Sequence, residues 1–247
     1  MAINSTSNKL TQISVALATF NGARYLVDQL NSLAEQIRLP YELVVTDDCS
    51  DDCTCEIVTT FASRAPFPVS LVLNEQRLGY GRNFLKAASL CTGSHVAFCD
   101  QDDVWLPKKL LLVQSVIENH GCELVAHSAK VVDRELRSLG VNFPDVVSNK
   151  LLTNEVKERG LFWPGFTLVV SENLISNAIA AEKMLVDVAS SNFAHDELIC
   201  DLAAKSYSCY VLAEPLALYR QHGGNLIGFH GAMKKLSNTN TQPTESK

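Results

Sequence analysis

Short apolar runs alternate with helically spaced apolar positions through the first half of the chain. Ile13 to Phe20 reads as a buried strand, and Tyr25, Leu26, Leu30 and Leu33 follow at helical spacing. Leu43 to Thr46 gives a second strand, and Ile57, Val58 and Phe61 mark a second helix. Val69 to Leu73 is a third strand, followed by a helix over Phe84 to Leu90. His95 to Cys99 is a fourth. Pro107, a residue suited to a first turn, opens the next helix, with Leu110, Leu111, Val113 and Ile117 inward. Strands that read as unbroken apolar runs are covered on both faces. This half therefore predicts an α/β fold: a mostly parallel, Rossmann-like central sheet flanked by helices.

The pattern changes after about residue 122. Leu124 to Val132 and Phe166 to Val170 read as strands, separated by a polar, irregular stretch over 140–160 with Pro144 and Gly160. Helical patterns cover Leu174 to Val188 and His195 to Ala204, and Leu216 to Tyr219 is a short strand. The reading is a single domain over 11–236, with one half at about 11–120 and a mixed second half at about 121–236. Residues 1–10 and 237–247 are polar ends expected to be disordered.

One position in this pattern carries unusual chemistry. The fourth strand, V-A-F-C, runs straight into D-Q-D-D, so Asp100, Asp102 and Asp103 crowd together at a buried strand end. Acids this close repel one another and are costly to bury unpaired. A hard cation such as Mg²⁺ or Mn²⁺, held by one or two carboxylates plus substrate phosphates, gives them a purpose. The plainer reading is an acidic loop capping the next helix.

Composition narrows the classes. The net charge of −6 argues against a nucleic-acid binder. Of 8 cysteines, Cys91, Cys99, Cys122, Cys200 and Cys209 lie in apolar runs, which suggests reduced core thiols and a cytoplasmic home. Cys49, Cys53 and Cys55 lack a paired zinc spacing. No stretch approaches the ~20 apolar residues of a membrane span, and the start M-A-I-N-S-T-S-N-K lacks the apolar core of a signal peptide.

In an open α/β sheet, ligands bind beyond the carboxyl ends of the strands. Polar motifs stand at four such ends: T-F-N-G (19–22), D-D-C-S-D-D (47–52), N-E-Q-R-L-G-Y-G-R-N (74–83) and D-Q-D-D (100–103). With H-D-E (195–197) and Y-R-Q-H-G-G-N (219–225), they resemble, in order, the motifs of family 2 glycosyltransferases of the GT-A fold, rhamnosyltransferase-like branch. The resemblance covers roughly residues 13 to 228. That family usually has Gly where Cys49 and Cys53 stand, a departure tolerable where neither backbone needs positive φ.

The resemblance implies an inverting, metal-dependent transfer. The sugar would pass from a nucleoside-diphosphate sugar, a UDP- or dTDP-sugar, to a hydroxyl of a glycan or lipid-linked glycan in surface polysaccharide synthesis. Contact with the inner face of the plasma membrane would be peripheral. Asp100 and Asp102 would face the Mg²⁺ or Mn²⁺ and the donor sugar, and Asp103 would cap a helix or hold a partner. Thr19, Asn21 and Asp48 would line the nucleotide pocket, although Asp48 equally suits a local cap. Arg82 either reaches the donor diphosphate or sits on a solvated helix face. Asp196 would be the general base, or alternatively a helix N-cap. His195 would assist or orient it. Trp163 either stacks on a sugar or packs in the core, and His222 either approaches diphosphate or metal or is structural.

Two other classes compete. An apolar strand followed by D-Q-D-D-V also fits a haloacid-dehalogenase-like phosphatase with Asp100 as nucleophile and Asp102 as acid/base. That signature normally opens its fold, and here it follows the fourth strand. The other is a non-catalytic sugar-nucleotide-binding module, which intact acids at 100, 102 and 196 disfavour.

Overall fold

The computed structural model describes residues 11–154, 162–184 and 193–225. Four strands, β1 (Ile13–Thr19), β2 (Glu42–Asp47), β3 (Val69–Leu73) and β4 (His95–Cys99), alternate with α1 (Ala23–Ala34), α2 (Thr54–Ala62) and α3 (Tyr80–Ser89). Then come β5 (Val104–Trp105), α4 (Lys109–His120), β6 (Leu124–Val132), β7 (Ser138–Phe143) and β8 (Lys150–Leu151). A 3₁₀ turn (Gly165–Thr167) leads to β9 (Leu168–Ser171), α5 (Glu172–Met184), α6 (His195–Ser206) and β10 (Cys209–Arg220). The strand order is β3-β2-β1-β4-β9-β6-β10-β5. β7 pairs with β6, and β8 with β10.

β1 to β4 are parallel, β9 runs antiparallel between β4 and β6, and β6 is parallel to β10. One sheet therefore spans both halves, and β1, β2, β4, β6 and β10 all point their carboxyl ends to one edge. Side chains alternate across a strand, and β1 feeds two cores. Ile13, Val15 and Leu17 pack with Leu26, Leu30, Val58, Leu110 and Val113 of α1, α2 and α4. Ala16 and Ala18 pack with Phe84, Leu85, Leu174 and Ile199 of α3, α5 and α6. Burial on both faces is what makes β1 an unbroken apolar run.

Several boundaries depart from the sequence pattern. Phe20 lies past the end of β1, where its backbone pairs with Gln101. Pro107 precedes α4, which starts at Lys109, and Leu111 is 41% exposed while Val116 and Gln114 face inward. Phe166 belongs to the 3₁₀ turn, not to the strand. The irregular 140–160 stretch holds most of β7 and all of β8. β10 begins at Cys209 rather than 216, and its register shifts between Leu212 and Pro215 and again before Leu218. Pro215 cannot donate to the ladder, so this stretch does not read as one strand. The polar ends 1–10 and 237–247 and the Val188 end of the predicted helix lie outside the described residues.

Candidate active site at the carboxyl edge of the sheet

After β4 the chain turns through Asp100, Gln101, Asp102 and Asp103 into β5. Oxygens of Asp100, Asp102 and Asp103 lie within 4.8 Å of one another. Each acid is held differently. Asp103 is fully buried; its Oδ1 accepts the Arg220 backbone N–H at 2.9 Å, and its Oδ2 has no partner among the described residues. Asp102 Oδ2 pairs with His222 Nε2 at 2.8 Å and accepts from Asn225 Nδ2 at 3.4 Å. Burial, then the charges of Asp102 and Asp196, push the Asp100 carboxyl up to about 8, against the pull of Lys109. Burial, then Asp102 and Asp100, also hold Asp103 well above the usual carboxylate range. Clustered carboxylates short of positive charge, one with an unpartnered oxygen, suit a hard divalent cation.

The end of β10 clamps this turn. Arg220, 3% exposed, donates Nε to the Asp102 carbonyl, Nη1 to the Arg134 carbonyl and Nη2 to Asp28 of α1, each at 2.8 Å. The Tyr25 ring of α1 takes the Arg220 guanidinium at 4.6 Å and the His222 ring at 4.6 Å. His222 therefore reaches Asp102 as part of a packed corner.

The ends of β1 and β2 form the adjoining wall. Gln101 accepts the Phe20 N–H and donates to the Phe20 carbonyl, both at 3.0 Å. A Cβ on Gly22 would sit 2.2 Å from Gln101 Oε1, so only glycine leaves room for this pair. Thr19 Oγ1 donates to Asp47 at 2.7 Å. Asn21, with φ 47, donates its N–H to Ser50 Oγ and accepts the Asp51 N–H. Asp48 is buried and already accepts three bonds, from Asn74 Nδ2 at 2.9 Å, Leu78 N–H at 2.7 Å and Gly79 N–H at 2.9 Å. It ties the 74–79 loop to β2. Cys53 has ordinary φ, but Cys49 sits at φ 66, so the condition for tolerating a non-glycine residue fails there and the backbone is strained. Arg82 of α3 donates Nε to Glu182 of α5 at 2.6 Å, and its side chain is 35% exposed.

Across the edge, Asp196 lies in the first turn of α6. The cap position is Ala194, so the N-cap alternative for Asp196 does not hold. Its Oδ2 accepts the Gly165 N–H at 3.3 Å and its Oδ1 the Glu197 N–H at 3.0 Å. Its charge helps raise Asp100, and after burial it is the next cause holding the Tyr80 phenol up at about 12. His195 faces the other way: its ring is buried, stacked on Phe84 at 4.3 Å and tilted on Phe98 at 4.8 Å, with neither nitrogen bonded among the described residues. A ring sealed this way does not meet a substrate, which corrects the expectation that it assists there. Trp163 is half-buried and packs against the core shared by α3, α5 and α6.

The model for glycosyl transferase family 2 matches residues 14–166. This chain belongs to that family. The dTDP-rhamnosyl transferase RfbG of Shigella flexneri is 26% identical over 235 residues, covering 88% of this chain and 75% of that protein. An uncharacterized glycosyltransferase of Nostoc sp. is 28% identical over 218 residues, covering 87% of this chain and 66% of that one. The crystal structure of TarS 1-349 from S. aureus in complex with UDP-GlcNAc superposes with a TM-score of 0.70 at 21% identity, covering 95% of this chain and 68% of that chain. The fold is therefore the GT-A fold, and the chain is a glycosyltransferase; the phosphatase reading of Asp100 and Asp102 gives way to it.

Asp100, Asp102, His222, Asp196 and the 19–22 and 47–52 loops thus share one edge. Arg82 is paired with Glu182, and His195 is sealed in the core. Arg220, Asn225, Gln101 and Lys109 escaped individual notice, although all four lie inside motifs recognisable in the sequence.

Proposed function

We propose that this family 2 glycosyltransferase moves a sugar from a UDP- or dTDP-sugar to a hydroxyl of a glycan or lipid-linked glycan in surface polysaccharide synthesis. In this reading transfer inverts the anomeric carbon and depends on Mg²⁺ or Mn²⁺. The observation that carries it is the convergence of three carboxylates within 4.8 Å, at the edge where Asp196 also lies. The names of the relatives support a pyrimidine nucleotide: one structure holds UDP-GlcNAc and RfbG is a dTDP-rhamnosyl transferase.

Asp100 and Asp102 would hold the cation, which when bound neutralises charge on the leaving nucleoside diphosphate. His222 and Asn225 fix the Asp102 carboxylate, and Arg220 fixes the turn that carries it. Thr19, Asn21 and Asp48 shape the wall for base and ribose, Asp48 by holding the 74–79 loop. Arg82, held by Glu182 through Nε, would reach the donor diphosphate or sugar, and Trp163 would stack on the acceptor side. Asp196 takes the proton of the acceptor hydroxyl as that oxygen bonds C1 and the C1–O bond to the diphosphate breaks. Two backbone N–H groups aim its carboxylate and leave lone pairs for the proton. No helix among the described residues is long and apolar enough to cross a membrane. In the proposed reading, contact with a lipid-linked acceptor is peripheral, at the cytoplasmic face.

The test is a panel of UDP- and dTDP-sugars with Mn²⁺, following nucleoside diphosphate release with water or a glycan lipid as acceptor. Asp102→Asn should abolish release while leaving the melting curve near wild type. Asp196→Asn should retain nucleoside diphosphate binding and lose roughly 10²–10⁴-fold in rate. Full turnover by Asp102→Asn, or a wild type indifferent to chelator, would sink the metal-dependent reading.

A further inference from the structure

Lys109 opens α4 yet is completely buried. Burying an ammonium is costly unless it is well partnered, and the reaction above leaves this one without a task. Its Nζ lies 3.6 Å from the centroid of the Trp105 ring, in the strand that directly follows the acidic turn. It also donates to the Phe166 carbonyl at 2.8 Å. Phe166 is the middle of the 3₁₀ turn, which Thr167 closes by donating both its N–H and its hydroxyl to the Pro164 carbonyl. At the start of the same turn, Gly165 gives its N–H to Asp196. A Cβ on Gly165 would lie 2.6 Å from His195 Nε2, so the turn sits hard against the first turn of α6.

We propose that Lys109 is a positioning residue: it ties the 100–105 segment to the 164–167 turn and thereby sets where the Asp196 carboxylate stands relative to Asp100. Burial lowers the ammonium to about 7, against the opposing influence of Cys99, Asp103 and Asp100. One side chain thus links Trp105, just after the metal-side acids, to the turn whose Gly165 N–H meets Asp196. The inference rests on the reading of Asp196 as base.

Lys109→Met keeps the unbranched stem, one atom shorter, and removes the donor to Phe166. Release of nucleoside diphosphate from the best donor of the panel, with Mn²⁺ and water as acceptor, should fall about 10- to 100-fold, the scale of a slightly misplaced catalytic group. Affinity for UDP with Mn²⁺ should not weaken. In an Asp196→Asn background the same substitution should cost less than about twofold, because groups acting as a unit are not additive. Amide hydrogen exchange over 164–168, which needs no substrate, should rise by about tenfold while α4 is unchanged. If Lys109→Met does not melt cooperatively, Gly165→Ala strains the same turn and must show the same loss, absent in the Asp196→Asn background. Equal losses in both backgrounds, or unchanged exchange, overturn the role of Lys109 and leave Asp196 standing. Normal release by Asp196→Asn overturns the base assignment and this inference together.

Discussion

Acid should destabilise this protein through His195, and the size of the effect follows from the packing. Burial between Phe84 and Phe98 lowers the ring to about 4 from 6.5, with the Asp196 charge opposing only weakly. The folded state keeps the ring neutral, whereas the unfolded chain protonates it below about 6.5. The folded value is depressed, so the stabilisation is whole above 6.5 and is lost as the pH falls towards 4. Linkage converts the difference into about 3 kcal/mol below both values, and into roughly 2.5 kcal/mol at pH 4.5. Other groups titrate in this range too, so the test is a difference. Urea unfolding of wild type and His195→Leu should be compared at pH 7.5 and 4.5. Leucine suits the apolar slot and removes two unbonded buried nitrogens, so stability at pH 7.5 should hold or rise. Between the two pH values, wild type should lose about 2–3 kcal/mol more than the variant. Equal losses would mean that water or a partner reaches the ring, and the sealed-cage description would be wrong.

Cys49→Gly relieves a left-handed residue at φ 66, and should gain about 0.5 kcal/mol after the extra entropy of unfolded glycine, read as a small rise in melting temperature; a fall would mean the Cys49 thiol bond to the Asn74 carbonyl outweighs the strain. Gly22→Ala should evict Gln101 from its two bonds to Phe20, costing about 1–2 kcal/mol and lowering donor turnover, whereas wild-type behaviour would show the contact is slack. Asp48→Ala leaves the 74–79 loop without its acceptor, so melting and UDP affinity should fall together, each by about 1–3 kcal/mol. Calorimetry showing unchanged UDP affinity in that variant would detach the loop from the nucleotide wall.

The parallel half was legible because a strand covered on both faces has no polar side to interrupt it. β1 and β4 are such strands, and their ends are where charge begins. The other half hides its strands. β7 leaves Leu139 and Val141 exposed, β5 spans Val104–Trp105 alone, and Glu214-Pro215 breaks the pattern of β10. In α4 the run Leu110 to Val113 is apolar all round, so periodicity could not decide that Leu111 faces out. The acids of the site were legible, but their partners were not. His222 lies 120 positions from Asp102, and Arg220 lies 117 from Asp103. No local spacing encodes a contact made by strands that meet only when the sheet closes.

One choice left open by the sequence is decided by where α4 begins. Acids before a helix need no ligand if they cap it. Here the helix starts at Lys109, its cap position is Lys108, and no side chain among the described residues caps it. Asp103 spends its bonded oxygen on Arg220, and Asp102 faces His222 and Asn225. Asp100 is held against two other carboxylates that raise it. None of the three serves the helix that follows. Those bonds offset only part of the mutual repulsion at a buried strand end, and a protein keeps such a cost where a site uses it. A cation shared with a diphosphate, as proposed above, would be such a use, and the loss expected of Asp102→Asn with an intact melting curve is how the proposal is tested.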